Sequence, residues 1–499
     1  MATTLATPGV YIEEKSSFGS SVVPVQTAIP AFIGYTSKAS RGSKDLTNVP
    51  TRISSMGQFE ELFGGAPTTK FNIESDDSAV GFKLSFVEDS KFLLHSSMRL
   101  FYANGGADCY IVSVGGYDEK IDAAKLNDPK GGGLSALEKF LEPTIVVIPD
   151  AILLDENDCY SLQAAMLQHC GYKLKNRFAI LDVYEGAKER TFDDDDAVDK
   201  FRNGVGSNFL QWGASYYPFL NTTIVSKSEV DFTRIENLDG LSEVLSKEVA
   251  ENLEADNITA ARAEGITAEI DKIPDTTEPD AINSLNATLT VISPSLNLIL
   301  AEVSEMLNVL PPSPAMAGAY TMVDNQASVA QSPANISLGS VIAPVVNINN
   351  DNQEELNLPL NGKAVNAIRT FQGKGVLVWG ARTLEGNSKD YRYVSVRRTM
   401  TFLEQSIKAA AEAFVFAPNN ATTWSTLRAT VSSFLTNQWQ SGLLAGQSAD
   451  DAFSVDIGLG ATMTPNDILD GVLKMTVKVA ITRPAEFIVI TFEQQQQKS

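Results

Sequence analysis

Hydrophobic and polar positions change rhythm several times along this chain. At the start, short apolar runs alternate with turn residues: TPGVYIEE (7–14), then SSVVPVQTAIPAFIGYT (20–36). Pro8, Pro24 and Pro30 break helix and hold the backbone extended. This predicts an arm with an isolated short strand at Val10–Glu13, followed by a strand at Ala31–Tyr35. SMGQFEELFG (55–64) predicts a short helix stopped by Gly64-Gly65 in an otherwise polar segment. A buried strand is predicted at Cys109–Val114 and another inside EPTIVVIPD (142–150). Leu162, Met166 and Cys170 then follow at helical spacing, and RFAILDVYEG (177–186) holds a further apolar run. Strand, helix and strand at this spacing form a βαβ unit, so a parallel sheet covered on both faces is expected.

The rhythm becomes helical and acidic over 233–310. Leu241, Val244, Leu245, Val249 and Leu253 share one face, as do Leu296, Ile299, Leu300, Val303, Met306, Leu307 and Leu310. Two amphipathic helices joined by IPDTTEPD predict an insertion on the αβ body. LPPSPAMAGAYTMVDNQASVAQSPAN (310–335), rich in Pro, Ala and Gly, reads as irregular connection. AVNAIRTFQGKGVLVWGARTL (364–384) predicts a hairpin turning at Gly373–Gly375. Two helices follow. Arg397 to Phe414 sets Phe402, Leu403, Ile407, Ala410, Ala411 and Phe414 opposite Thr401, Glu404, Lys408 and Glu412. Trp424, Leu427, Val431, Phe434, Leu435 and Trp439 mark the second, ended near Gly442. Leu473, Met475, Val477, Val479 and Ile481 alternate with polar or small residues, as in a half-buried strand. Glu486–Phe492 (EFIVITF) is a last strand, apolar on both faces.

Composition narrows the function. The 499 residues are 43% hydrophobic and 20% charged, a globular balance. No run reaches the ~18 apolar residues of a membrane helix, and no basic-then-apolar signal peptide opens the chain, so cytoplasmic synthesis and assembly are expected. A net charge of −22 argues against nucleic-acid binding. Three cysteines, Cys109, Cys159 and Cys170, do not make a disulfide framework.

Enzyme chemistry has few candidates. His169, Cys170 and Cys159 lack the paired spacing of a zinc site and read as ordinary helix residues. Asp150 and Asp182 stand at the ends of predicted parallel strands, where α/β enzymes place catalytic groups, but turn or helix-start roles account for them. PKGGGLS (129–135) lacks the order of a phosphate loop, and Asp193–Asp196 lacks that of a calcium loop; both read as solvated turns. No catalytic residue, cofactor site or metal site is expected.

The order of several motifs is more specific. TPGVYIEE with TAIPAFIGYT, then FYANGGADCYIVSV, SYYPFL (215–220), LPPSPAMAGAYTMVD and SPAN (332–335) resemble contractile phage-tail sheath proteins, including those of tail-like injection systems. YVSVRRTMTFLEQSIKAAAEAFVFAPNNATTW is similar to that family's paired arginines, long helix and Phe-x-Pro-Asn…Trp segment, with GLLAG (442–446) after it. Before SPAN the family often carries Trp-Lys-Ala, where this chain has Val329-Ala330-Gln331.

The resemblance implies a multidomain α/β and α+β protein with no enzymatic activity. Its expected parts are an N-terminal arm (1–36), a connecting segment (37–97), a central α/β domain (98–345) with the insertion, and a C-terminal sheath domain (346–499). Such subunits stack as a helical homopolymer around an inner tube, with baseplate and terminal cap proteins as further partners. Contraction drives the tube through a target envelope. Linking strands would come from Val10, Tyr11, Ile12 and Glu13, and from Val477, Val479, Ile481, Phe487, Val489 and Ile490. Arg397, Arg398, Glu404, Lys408 and Glu412 would face the tube. A static shell subunit and an α/β hydrolase using Asp150 and Asp182 are the rival readings.

Overall fold

A computed structural model describes residues 22–76 and 81–490. The strand expected at Val10–Glu13 lies outside the described residues. The described chain divides into two compact units, a body (26–398 with 483–490) and a C-terminal unit (399–482 with 22–25), and so passes between them three times.

The body is built on a nine-stranded mixed sheet. In chain order its strands are β1 (Pro30–Gly34), β2 (Thr51–Ile53), β3 (Cys109–Ser113), β4 (Ile145–Val147), β5 (Phe178–Asp182), β6 (Gly213–Tyr217), β7 (Ile336–Ser337), β8 (Asn366–Phe371) and β9 (Gly375–Val378). Across the sheet the order is β7-β9-β8-β6-β5-β4-β1-β3-β2. The inner six, from β8 to β3, run parallel. Antiparallel strands close both edges. Every residue of β1, β3, β4, β5 and β6 is buried. Parallel strands covered on both faces need continuous apolar runs, which is why these segments do not alternate. Successive residues feed opposite faces: Ala31 and Ile33 pack into one core cluster, Phe32 into the other. The β4–helix–β5 unit is present, with Ile145 opposite Phe178.

Two strand-end carboxylates anchor helices. Asp150 accepts the amides of Tyr35 (3.1 Å) and Leu93 (2.7 Å) at the start of helix α1 (Leu94–Ala103). Asp182 accepts the Ser313 amide (2.8 Å) and hydroxyl (2.5 Å) at the start of a helix over Ser313–Gln326. That helix, α2, corrects the irregular connection expected there. Pro314 sits in its first turn, where a missing amide hydrogen does no harm. It is buried on nearly all sides, so no amphipathic period marks it. A Cβ on Gly318 would lie 2.5 Å from the Phe101 carbonyl oxygen, so glycine permits the close crossing of α2 over α1.

The insertion is larger than its periodicity suggests. Four helices, Leu238–Glu254, Ala260–Ile270, Pro279–Ile292 and Pro294–Leu307, replace the expected two. They share one core with the hairpin Phe71–Ser75/Phe82–Phe86, which includes Phe71, Ile73, Leu245, Ile270, Leu289 and Ile299. Asn237 ties lobe to hairpin by bonding both the Ile73 amide (2.9 Å) and carbonyl (2.7 Å).

Candidate assembly surfaces

The helix carrying the paired arginines, α3, spans Val394–Glu412. Its first residues belong to the body. Arg398 is buried and grips Asp324 through both guanidinium nitrogens (2.9 and 2.6 Å), with a further bond to the Thr27 carbonyl (2.9 Å). Burial alone would lower its pKa, but Asp324 more than offsets this and the net shift is upward. Arg397, also buried, stacks over the Trp212 and Tyr391 rings (4.3 and 4.6 Å). The two arginines therefore hold the helix to the body and present no charge at the surface. The exposed stripe of the same helix is Glu404, Lys408 and Glu412.

The C-terminal unit begins inside α3 and continues into α4 (Ala421–Gln440), capped by Asn420 through the amides of Thr422 and Thr423. Phe402 meets Phe434 at 6.1 Å, beside the buried Leu427, Val431 and Leu435. Between these helices the chain exposes Val415 and Phe416. Phe416 is fully exposed at φ 68°, a backbone region that bulky residues rarely adopt.

Beside them lies a two-stranded antiparallel sheet of β10 (Phe453–Ile457) and β11 (Met475–Val479). Val477 faces Val455 and Val479 faces Phe453 in register. Ile481 bridges Leu444, and the Ala445 amide donates to the Ala480 carbonyl oxygen (2.7 Å). Among the described residues, the outer edge of β10 has no strand beside it.

The chain then re-enters the body, where Glu486 is clamped. Arg382 donates to both its oxygens (2.9 and 2.7 Å), Asn357 to one (2.8 Å) and the Tyr393 hydroxyl to the other (2.8 Å). Burial raises this carboxyl, but these bonds prevail and hold it below the usual range. Just past the clamp, Phe487, Ile488, Val489 and Ile490 are 68, 79, 90 and 70% exposed. Within the described residues this apolar segment forms no strand and pairs with none, a correction to the last strand expected at Glu486–Phe492, whose final two residues lie outside the described residues. Sequence reading found the segment but not the clamp, since Glu486 and its partners stand 93 to 129 residues apart.

The candidates for other chemistry resolve as structural groups. Asp150 and Asp182 are fully buried; burial pushes them up to about 6 and about 7, and helix amides occupy them. Asp196 is a correction to the solvated acidic run: it is buried, bonds Arg190 at 2.7 and 2.8 Å and caps the helix Ala197–Gly204. His169 contacts Arg177 at 2.9 Å, and all three cysteines are free and buried. No single helix among the described residues is long and apolar enough to cross a membrane.

The C-terminal unit offers an uncommitted strand edge, and the body exposes an apolar segment; each is a surface suited to polymerisation. Residues 387–495 match the phage tail sheath C-terminal domain. No curated protein matches the chain by sequence. Among solved structures, the sheath complex of PVC, an extracellular contractile injection system, in its contracted state is 26% identical. The match has a TM-score of 0.60 and covers 99% of each chain. The contracted helical sheath of the anti-feeding prophage matches at 26% identity and TM-score 0.60, over 99% of this chain and 100% of the other. A chain in the baseplate of that prophage matches at 25% identity and TM-score 0.59, with the same coverage. The C-terminal domain is that of phage tail sheath proteins, and the fold throughout is that of contractile sheath proteins. The chain is a contractile sheath subunit.

Proposed function

We propose that the chain polymerises as a helical sheath of linked subunits around an inner tube. The assembled sheath contracts and drives the tube through a target envelope, with baseplate and cap proteins at its ends. The exposed segment Phe487–Ile490, fixed at its root by the Glu486 clamp, is the observation that carries this reading. Four exposed large apolar residues in a row make an aggregation hazard unless another chain covers them. Strand addition supplies main-chain hydrogen bonds of about 0.5–1.5 kcal/mol each, so one link is weak and many in parallel are strong. Val10–Glu13 of a neighbour is assigned to the same kind of pairing, against β10 or β11. The stripe Glu404, Lys408 and Glu412 is assigned to the tube. No step of this work requires a catalytic group, and energy for contraction resides in the subunit packing.

Truncation after Glu486 keeps the clamp and removes the linking segment. A folded monomer that builds no cylinders in negative-stain images is the expected result. Regular contractile cylinders from the truncated chain would refute the strand linkage.

A further inference from the structure

In the body, the short helix Asn350–Asn357 runs into the loop Leu358-Pro359-Leu360-Asn361-Gly362. Both leucines of the loop face outward: Leu358 is 53% exposed and Leu360 wholly so. A lone exposed leucine is ordinary. These two are set apart by where the loop starts and how firmly it is held.

Asn357, the residue before the loop, belongs to the Glu486 clamp. It donates to Glu486 (2.8 Å), and its carbonyl oxygen accepts from Arg382 (3.0 Å). Leu358 and Phe487 therefore each stand one residue from a shared hydrogen bond. The loop and the linking segment leave the body at the same point. Together they set six exposed large apolar residues around one clamp, with no charge among them. A concentration of that kind marks a contact surface.

The loop is also held at both ends. Arg202, buried, donates to the Glu355 carboxylate and to the carbonyl oxygens of Glu355 (3.2 Å) and Leu356 (3.4 Å). Arg190 donates to the same carboxylate (2.8 Å). The Leu358 amide closes on the Glu354 carbonyl oxygen (2.8 Å) and the Gly362 amide on that of Pro359 (3.0 Å). The Pro359 ring fixes its own φ. Leucines presented this way lose little freedom when covered, so ordering offsets little of their burial.

We propose that the Leu358–Leu360 loop docks onto a second copy of this chain, the same neighbour that receives Phe487–Ile490. The inference rests on the strand linkage proposed above. A neighbour that pairs with the segment so close to its root must come up to the clamp, and the loop stands beside the clamp. The loop also supplies something the segment lacks. EFIVITF is apolar on both faces, so side-chain alternation cannot fix the register in which it pairs. A rigid apolar stop at its root sets how far the segment enters its neighbour.

A photoreactive benzophenone amino acid in place of Leu360 tests this in the full-length protein. Irradiated cylinders should yield an adduct of twice the chain mass, and dilute monomer should yield none. Leu360→Ser should keep the parent's melting temperature, since the side chain is wholly exposed. It should raise the protein concentration needed for cylinders at least tenfold. Leu360→Met, still apolar, should assemble like the parent. An adduct to the tube protein, an adduct within one chain, no adduct at all, or parent-like assembly of the serine variant would overturn the docking assignment. Truncation after Glu486 separates the two readings. If truncation abolishes cylinders while intact cylinders give no dimer adduct, the linkage stands and the docking loop fails. Cylinders from the truncated chain would sink the linkage, and the shared neighbour with it.

Discussion

Strand β1 is hydrogen-bonded on both sides, to β3 and β4, and all its residues are buried. Strand β11 pairs with β10 over five residues, its side chains alternate between exposed and half-buried, and β10 has an open edge among the described residues. One sheet is completed inside the subunit. The other is too small to be stable alone and offers an edge. The difference teaches where stability and assembly reside. Substitutions in the body should lower stability, and those on the C-terminal unit and linking segment should leave stability intact while stopping assembly.

The largest effect is expected at the body's end of α3. Arg398→Met strands the buried Asp324 carboxylate and should lower unfolding free energy by about 3–5 kcal/mol, read from the urea midpoint. Gly318→Val forces a side chain against the Phe101 carbonyl and should cost about 1–3 kcal/mol by the same assay. A subtler probe is pH. Burial raises Asp182 to about 7 in the folded state, so the fold binds this proton more tightly than the unfolded chain does. Its contribution is full below the unfolded value of about 3.9 and is lost as pH rises through the folded value. Stability of the parent relative to Asp182→Asn should therefore fall from pH 4 to about 7 and level off above, as denaturation at several pH values will show. Smallest in stability is Lys408→Glu on the exposed stripe, at no more than about 0.5 kcal/mol. On the proposed tube contact it should still cut the yield of tube-filled sheath in electron micrographs. If the stripe variant unfolds, or the Arg398 variant assembles at normal stability, the contrast between the two regions fails.

Much of the body was legible because local pattern and tertiary environment agree. Runs such as AFIG and YIV are buried on both faces, and their continuity announces parallel strands. The helices of the C-terminal unit show period because each has one wet face. Helix α2 was missed for the opposite reason: being buried nearly all round, it has no polar stripe, and its Gly and Pro mimic a loop. Pro279–Ile292 was missed because only Leu285 and Leu289 are buried among Asn, Ser and Thr. The arginine pair was found, but its direction was not. Its carboxylate partner Asp324 lies 74 residues away, and nothing in the local sequence tells a surface arginine from one that faces inward. For the assembly surfaces, exposed apolar residues at Phe487–Ile490 were visible in EFIVITF, whereas the clamp that aims them depends on long-range contacts.

The three passages of the chain between body and C-terminal unit fall after Val25, after Arg398 and after Thr482. On the body side each is pinned: the Thr27 carbonyl accepts from Arg398, Arg398 holds Asp324, and Arg483 donates to the Lys389 carbonyl (2.6 Å). Mechanically, two of these crossings tether the C-terminal unit covalently, after Arg398 and after Thr482, while the third is a noncovalent strap in which the Val25 amide donates to Ser406 Oγ (3.2 Å). A pull on the C-terminal unit is shared between the two covalent links, and a single protease cut at either leaves the other intact.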